Sequence, residues 1–456
     1  MKAATLISAK MLALGICGCL MILVLGSGAS VLGAQNATRL TLPQAYQRAL
    51  VHNQDIVSSR ENVVQARNEV DEATSGLYPQ LSARGEYTRQ KELQEESTNP
   101  ITGETIPGTP EGYGTASLQL DQHLYQGGKR WSGREAAQEA LESSRAEHFR
   151  NMQQILFRVA SSYYEVLLGR RSIQIAESAL ERAEAQLERA RGRREVGVAT
   201  KSDVLRAEVQ VSQTEEQLER ARNQYDVARE QLALEMGVED LPAKLEHPDK
   251  RQISANATVR ALYSRALSNR KDLEGLKNRI QAAMANKARE KADYFPRLSA
   301  HGSYTRTDEP DIYQDNREDW RASLRLSYPL FTGGREQAQL EKARSELLQV
   351  RSKRNRLKRE IREQVRSVYL DLETQRSVIQ NLRKQVESSK RNYRQVTARF
   401  EEGAASSVDQ VDAFTILNEA KNRLAQARYS YQLDMVRLDL ITGVLQQELI
   451  SGKEMP

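Results

Sequence analysis

Two short stretches of the sequence place hydroxyls and carboxylates directly after a glycine, where one helical pattern stops and another begins. They read RREVGVATKSDVLRA from Arg193 to Ala207 and RFEEGAASSVDQVDA from Arg399 to Ala413. Glycine tolerates the left-handed backbone that ends many helices, and a hydroxyl three residues before an acid is typical of a capping box. Gly197 and Gly403 therefore predict the turns of two helical hairpins.

The aspartates of these stretches differ in what capping can explain. Asp203 and Asp409 each follow a hydroxyl residue by three positions, so helix capping accounts for both, and a functional role remains open for each. Asp412 lies one turn further into its helix, and Arg206 stands at the equivalent place of the first stretch. Asp412 is therefore a candidate functional residue on the same helix face as Asp409.

No pattern elsewhere supports catalysis or metal binding. The five histidines are scattered and form no HExxH motif, and no nucleophile motif stands in a suitable context. Gly127-Gly128-Lys129 lacks the earlier glycine and the following hydroxyl of a phosphate loop. The net charge of +6 is small and Glu alternates with Arg, which argues against nucleic acid as a partner. The sequence predicts no enzyme, no cofactor and no metal site.

The first 34 residues have the composition of a secretory signal peptide. Lys2 and Lys10 precede an apolar run from Met11 to Leu25, and small residues follow. A membrane anchor is a weaker interpretation, because no charged cluster follows the run directly. A lipoprotein with Cys19 as the acylated residue is a further alternative. Cleavage would remove Cys17 and Cys19, so the mature chain is predicted to be exported and free of cysteine.

The remaining chain is a tandem duplication. YPQLSARGEYTR from Tyr78 matches FPRLSAHGSYTR from Phe295, and the two turn stretches match at a shift of 206 residues. The shift between matching residues is larger at Tyr78 than at the turns, because the first copy has a longer loop between Gln90 and Thr115. The predicted organisation is a signal peptide at 1–34, a first repeat at 35–240, a linker at 241–256, a second repeat at 257–445 and a tail at 446–456.

Each repeat contains two segments in which apolar and polar residues alternate, within 79–126 and 296–331. This period of two predicts strands with one apolar and one polar face. A soluble sheet packed on a core is one interpretation, and a membrane barrel is the other. Four strands cannot close a barrel and open edges are not tolerated in lipid, so the second interpretation requires about three copies and twelve strands. Polar-face arginines would then give a basic lumen: Arg84, Arg297, Arg321 and Arg325.

Three-four spacing of apolar residues predicts long helices from 129 to 191 and from 335 to 399, with a coiled-coil seam. The low aromatic content of 5% also suits long helices packed side by side. Four helices of about half that length are predicted at Thr41–Ser75, Lys201–Met236, Thr258–Ala292 and Ser407–Thr442. The fold class is therefore mainly α with a small β part.

This combination of repeat, strands, helices and export signal resembles the TolC-like outer membrane efflux proteins over nearly the whole mature chain. The resemblance implies a homotrimer in which a twelve-stranded barrel in outer-membrane lipid continues into a periplasmic tunnel of twelve helices. It also implies docking to a periplasmic adaptor protein and to an inner-membrane transporter of the RND, ABC or MFS class. Such a duct exports drugs, small toxic molecules or proteins.

Within the family, the tips of both hairpins face the adaptor, and the resemblance places eight residues there: Gly197, Val198, Ala199, Thr200, Gly403, Ala404, Ala405 and Ser406. It also assigns Asp409 and Asp412 to the constricted tunnel entrance, and Asp203 to a contact that holds the entrance shut. The family's tyrosine and arginine latch residues fall on Phe400 and Ala405, which lack the hydroxyl and the charge. The latch of this protein must therefore use other chemistry.

Two alternatives remain open from the sequence. A secreted coiled-coil scaffold with a small soluble sheet would explain the export signal and the helices. A type I protein-secretion conduit would differ from an efflux duct only in its cargo.

Overall fold

The computed structural model describes residues 39–89, 97–98, 100–103, 105–106, 112–242, 244–249, 251, 258–308 and 317–445. The predicted signal peptide with Cys19 and the tail at 446–456 lie outside these residues. Parts of the predicted loop after Gln90 and of the inter-repeat linker also lie outside them.

The described residues form long helices joined to a small sheet. The helices are α1 (Leu42–His52), α2 (Gln54–Ser75), α3 (Lys129–Glu195), α4 (Lys201–Met236), α5 (Val259–Asn269), α6 (Lys271–Lys291), α7 (Arg335–Glu401) and α8 (Ser407–Thr442), with a 3-10 turn at Ala292–Tyr294. The strands are β1 (Arg39–Leu40), β2 (Gln80–Arg89), β3 (Ser97–Thr98), β4 (Thr105–Ile106), β5 (Gly112–Tyr125), β6 (Lys244–Leu245), β7 (Arg297–Asp308) and β8 (Arg317–Ser327).

The return helices α4 and α8 have the predicted bounds, and the long helices α3 and α7 extend a few residues beyond theirs. At 67 residues each, α3 and α7 are roughly 100 Å long. The prediction of one helix from Thr41 to Ser75 and one from Thr258 to Ala292 was wrong, because each is divided in two. The loop predicted to end at Thr115 is also shorter, since β5 begins at Gly112 and β3 pairs with β4.

The division between α1 and α2 has a local cause. Asn53 adopts an extended backbone, and its side chain accepts hydrogen bonds from the amides of Asp55 and Ile56 at 2.9 and 3.3 Å. Gly237, which ends α4, packs against this break so closely that a Cβ atom would lie 2.4 Å from the His52 carbonyl oxygen. The end of the return helix therefore fits where the shorter helix is interrupted.

The helices lie side by side in one layer. In the half nearer the sheet, α3 packs between α2 and α6, and α7 packs on the far side of α6. In the other half, α3 packs between α4 and α8, and α7 lies beyond α8. None of the helices in the described ranges combines the length and hydrophobicity that a transmembrane helix needs.

The four long strands form an antiparallel sheet in the order β2-β5-β7-β8. Its register places apolar residues opposite each other: Leu118 stands between Ala83 and Tyr304, and Tyr304 stands opposite Trp320. Trp320 is 77% exposed, and Leu118 and Tyr304 are also exposed. The predicted strands are confirmed, and their apolar face is not covered by any described helix.

Candidate gate at the tips of the helical hairpins

Both hairpins end in the predicted glycine turns. Gly197 and Gly403 have φ angles of 74° and 77°, and a Cβ atom at either position would meet nothing within 4 Å. The amide of Val198 donates to the Arg193 carbonyl at 2.9 Å, and the amide of Ala404 donates to the Arg399 carbonyl at 2.7 Å. These bonds satisfy carbonyls that the helix ends would leave free.

The eight predicted tip residues surround these turns and are largely accessible. Six are exposed, whereas Ala199 and Ala405 are half-buried. Val198 is the largest apolar side chain of the tips, and 64% of it is exposed. The tips therefore present small side chains and backbone.

Capping boxes open both return helices as predicted. The Asp203 carboxylate accepts from the Thr200 amide at 2.9 Å, and the Asp409 carboxylate accepts from the Ser406 amide at 3.0 Å. Hydrogen bonds from the Ser406 amide and then from its hydroxyl lower the pKa of Asp409. Asp409 therefore caps α8 and remains ionised at neutral pH.

Asp203 has a second partner, which the sequence did not reveal. The Ser407 hydroxyl lies against its carboxylate and is the largest cause of a lowered pKa, ahead of the groups of Thr200. Ser407 is buried, and it belongs to the second hairpin. Asp203 thus caps its own helix and also links the two hairpins.

A second link between the hairpins is made by Arg193, near the end of α3. Its guanidinium donates to the carbonyl oxygens of Phe400 at 2.8 Å and Glu401 at 3.3 Å. The same group lies 5.0 Å from the centre of the Phe400 ring. Arginine is well suited to both contacts, because it carries several donors and stacks on aromatic rings. We call the contact between Arg193 and Phe400 the clasp.

Asp412 lies one turn beyond the cap and is exposed. In the described part of the chain, neither Asp409 nor Asp412 forms an ion pair. Their spacing of three places both carboxylates on one helix face. The tip of α8 therefore carries two adjacent negative charges.

A basic cluster that the sequence analysis missed lies further along the helices. Burial, and then the charges of Arg182, Lys390 and Arg171, lower the pKa of Lys421 to about 8. Arg182 also donates to the Asn418 side chain of α8 at 3.3 Å. These residues come from α3, α7 and α8, so only the folded layer brings them together.

The four predicted lumen arginines share the polar face of the sheet, as the register requires. Arg84, Arg321 and Arg325 are exposed. Arg297 is half-buried and donates to Asp293 at 2.7 Å, and Asp293 also accepts from Lys129 at 2.8 Å. Arg297 therefore takes part in the junction between the sheet and α3.

A sheet with an exposed apolar face, continued by helices roughly 100 Å long that end in paired turns, defines the class of outer-membrane ducts with a helical extension. Comparison with known proteins agrees with this class. The profile of the family described as "Outer membrane efflux protein" matches residues 45–238 and 262–444. The chain belongs to the outer membrane efflux protein family.

Individual relatives cover most of the chain. Outer membrane protein TolC of Salmonella enteritidis is 26% identical over 437 residues, which span 91% of this chain and 85% of that protein. The alkaline protease secretion protein AprF of Pseudomonas aeruginosa is 24% identical over 340 residues, or 73% of this chain and 70% of AprF. The structure of the outer membrane protein VceC from Vibrio cholerae superimposes with a TM-score of 0.75 at 19% identity, covering 88% of this chain and 96% of VceC. The protein is an outer-membrane exit duct.

Proposed function

We propose that three copies of the chain form one continuous duct that conducts substrates passively out of the cell. The observation that carries this proposal is the uncovered sheet: its apolar face is exposed, and β2 and β8 are its two edges. Open edges are not tolerated in a bilayer, so neighbouring copies must complete the ring. Three four-stranded sheets give a twelve-stranded barrel, a common size range for such barrels.

The helical layers of the three copies would then form a periplasmic tunnel below the barrel. We propose that its exposed tips bind a periplasmic adaptor, and that an inner-membrane transporter supplies the substrate. Two systems of this kind are supported, since the matched family is described as outer membrane efflux proteins and AprF is named for alkaline protease secretion. A tripartite efflux system and a type I secretion system share this architecture, and neither requires catalysis by the duct.

Mass measurement on detergent-extracted protein tests the assembly. Light scattering on protein from the outer-membrane fraction should give three chains per particle. A soluble monomer in the culture supernatant would instead support the secreted scaffold.

We propose that the tunnel entrance is constricted by Asp409 and Asp412, with six carboxylates from three chains. The clasp and the contact between Asp203 and Ser407 would hold the hairpins of each copy in the closed arrangement. In this proposal, the clasp replaces the family's tyrosine and arginine latch. Phe400 takes part through the π face of its ring and through its backbone carbonyl, so no hydroxyl is needed.

A further inference from the structure

The two long helices are buried to very different extents. Both α3 and α7 contain 67 residues, but α3 buries 23 of them and α7 buries nine. Within the described ranges, α3 packs between helices on both sides, whereas α7 packs closely against α5, α6 and α8 only. One long side of α7 is therefore uncovered, and α2 and α4 form the opposite edge of the layer.

These two edges carry opposite charge. Helix α7 contains 18 Lys and Arg against nine Asp and Glu, a net charge of +9. Helices α2 and α4 together contain seven Lys and Arg against 13 Asp and Glu, a net charge of −6. An edge of one copy is therefore complementary to the opposite edge of another, and like edges repel.

The positive charge of α7 is concentrated in residues 351–359, which we call the basic stretch. It contains six cations and no acid. Arg356 pairs with Glu360 at 2.7 Å, but Arg351, Lys353 and Lys358 are exposed and form no ion pair among the described residues.

Contacts across the layer show which part of α2 is level with the basic stretch. Gln364 accepts from Arg270 at 2.8 Å, and Arg270 pairs with Asp272, which lies 3.8 Å from Arg150. Two residues before Arg150, His148 lies 2.7 Å from Ser59 of α2. Position 364 of α7 is thus level with about position 58 of α2.

Both helices advance 1.5 Å per residue, and they run in opposite directions, so the basic stretch is level with roughly residues 63–71 of α2. Glu61, Glu69, Asp71 and Glu72 lie in or beside this range, and all four are exposed. Glu69, Asp71 and Glu72 form no ion pair in the described part of the chain. We call residues 61–72 the acidic segment.

We propose that the basic stretch of α7 binds the acidic segment of α2 in a second copy of this chain. This inference rests on the proposed assembly and adds the contact that determines which edges of neighbouring copies meet. A head-to-tail contact between unlike edges closes into a ring when neighbouring copies are related by rotation alone. Such a rotation involves no shift along the axis, so the basic stretch of one copy stays level with the acidic segment of the next.

A lipid headgroup fits the basic stretch less well. Arg351 lies 16 residues beyond the start of α7 at Arg335, which is roughly 24 Å along the helix from the sheet. That distance places the stretch below the membrane surface, beside the next copy's helices.

Charge reversal with rescue tests the contact. The variant Arg351→Glu/Lys353→Glu should raise the monomer fraction about tenfold in detergent at low salt, and Glu69→Lys/Glu72→Lys should do the same. Combining all four substitutions should restore the trimer to within about threefold of the unaltered protein, because the signs are exchanged on both edges. The control Arg423→Glu/Arg437→Glu reverses two exposed cations on α8, away from either edge, and should leave assembly unchanged.

Cysteine cross-linking in native membranes provides a readout that does not depend on stability. With Lys353→Cys and Glu69→Cys in one chain, oxidation should link different copies, since the two positions lie on opposite edges of the layer. A trimer without this cross-link, and without sensitivity to charge reversal, would overturn the inference and leave the proposed assembly standing. An unaltered protein that forms no oligomer would refute the proposed function itself.

Discussion

Replacing Arg193 with alanine removes the clasp between the two hairpins. The loss comprises a charged hydrogen bond at 2.8 Å, a weaker one at 3.3 Å and a cation–π contact at 5.0 Å. Charged hydrogen bonds contribute about 1.5–3 kcal/mol and exposed cation–π contacts about 0.5–1 kcal/mol. Because the site is only half-buried, we expect a combined loss of about 2 kcal/mol. This loss shifts the equilibrium between closed and open channels roughly 30-fold towards the open state.

Single-channel recording in planar bilayers measures this shift as open probability. Arg194→Ala is the matched control, because Arg194 is adjacent and exposed and forms no ion pair among the described residues. Phe400→Leu removes the ring but keeps the carbonyl bond, so its effect should be smaller than that of Arg193→Ala. Equal open probabilities for the Arg193 and Arg194 variants would refute the clasp as a latch.

Three further predictions concern the gate, the basic cluster and the turns. Asp409→Asn/Asp412→Asn keeps a capping oxygen but removes the charges, so conductance should rise and block by multivalent cations should weaken about tenfold in bilayer recordings; unchanged block would argue against a carboxylate ring. Lys421→Met should stabilise the fold by roughly 1–2 kcal/mol at pH 7, after allowance for its partial exposure. In the folded protein the pKa of Lys421 is about 8, below the ordinary 10.5, so the unfolded chain binds more protons between these two pH values. The stability gained by Lys421→Met, measured as the free energy of unfolding in urea, should therefore disappear as the pH rises through this window. Gly403→Ala should cost about 1 kcal/mol from backbone conformation alone, whereas Gly237→Ala should cost about 3 kcal/mol or more because its Cβ atom meets a backbone carbonyl; equal shifts in melting temperature would contradict this packing.

The turns and return helices were predictable because their signals are local. A glycine followed by a capping box at Ser406 and Asp409 specifies a helix stop and start within seven residues. The division at Asn53 was missed, because the apolar pattern continues through it and the break is completed by Gly237, far away in the sequence.

The clasp could not be read from the sequence either. Arg193 binds Phe400 across 207 residues, whereas Arg399, its counterpart in the second repeat, donates to the nearby Ala404 carbonyl at 3.4 Å. Reasoning from the repeat would therefore assign Arg193 a partner within its own turn, whereas its partner lies in the other hairpin. The charges of α7 and α2 are visible in the sequence, but only the packing of the layer shows that they lie on opposite edges.

Current through the purified protein in a planar bilayer tests the central claim most directly. A duct that is closed at rest by carboxylates predicts long-lived, small, cation-preferring openings from a trimer. A soluble protein that does not insert into the bilayer would contradict the account and favour the secreted scaffold.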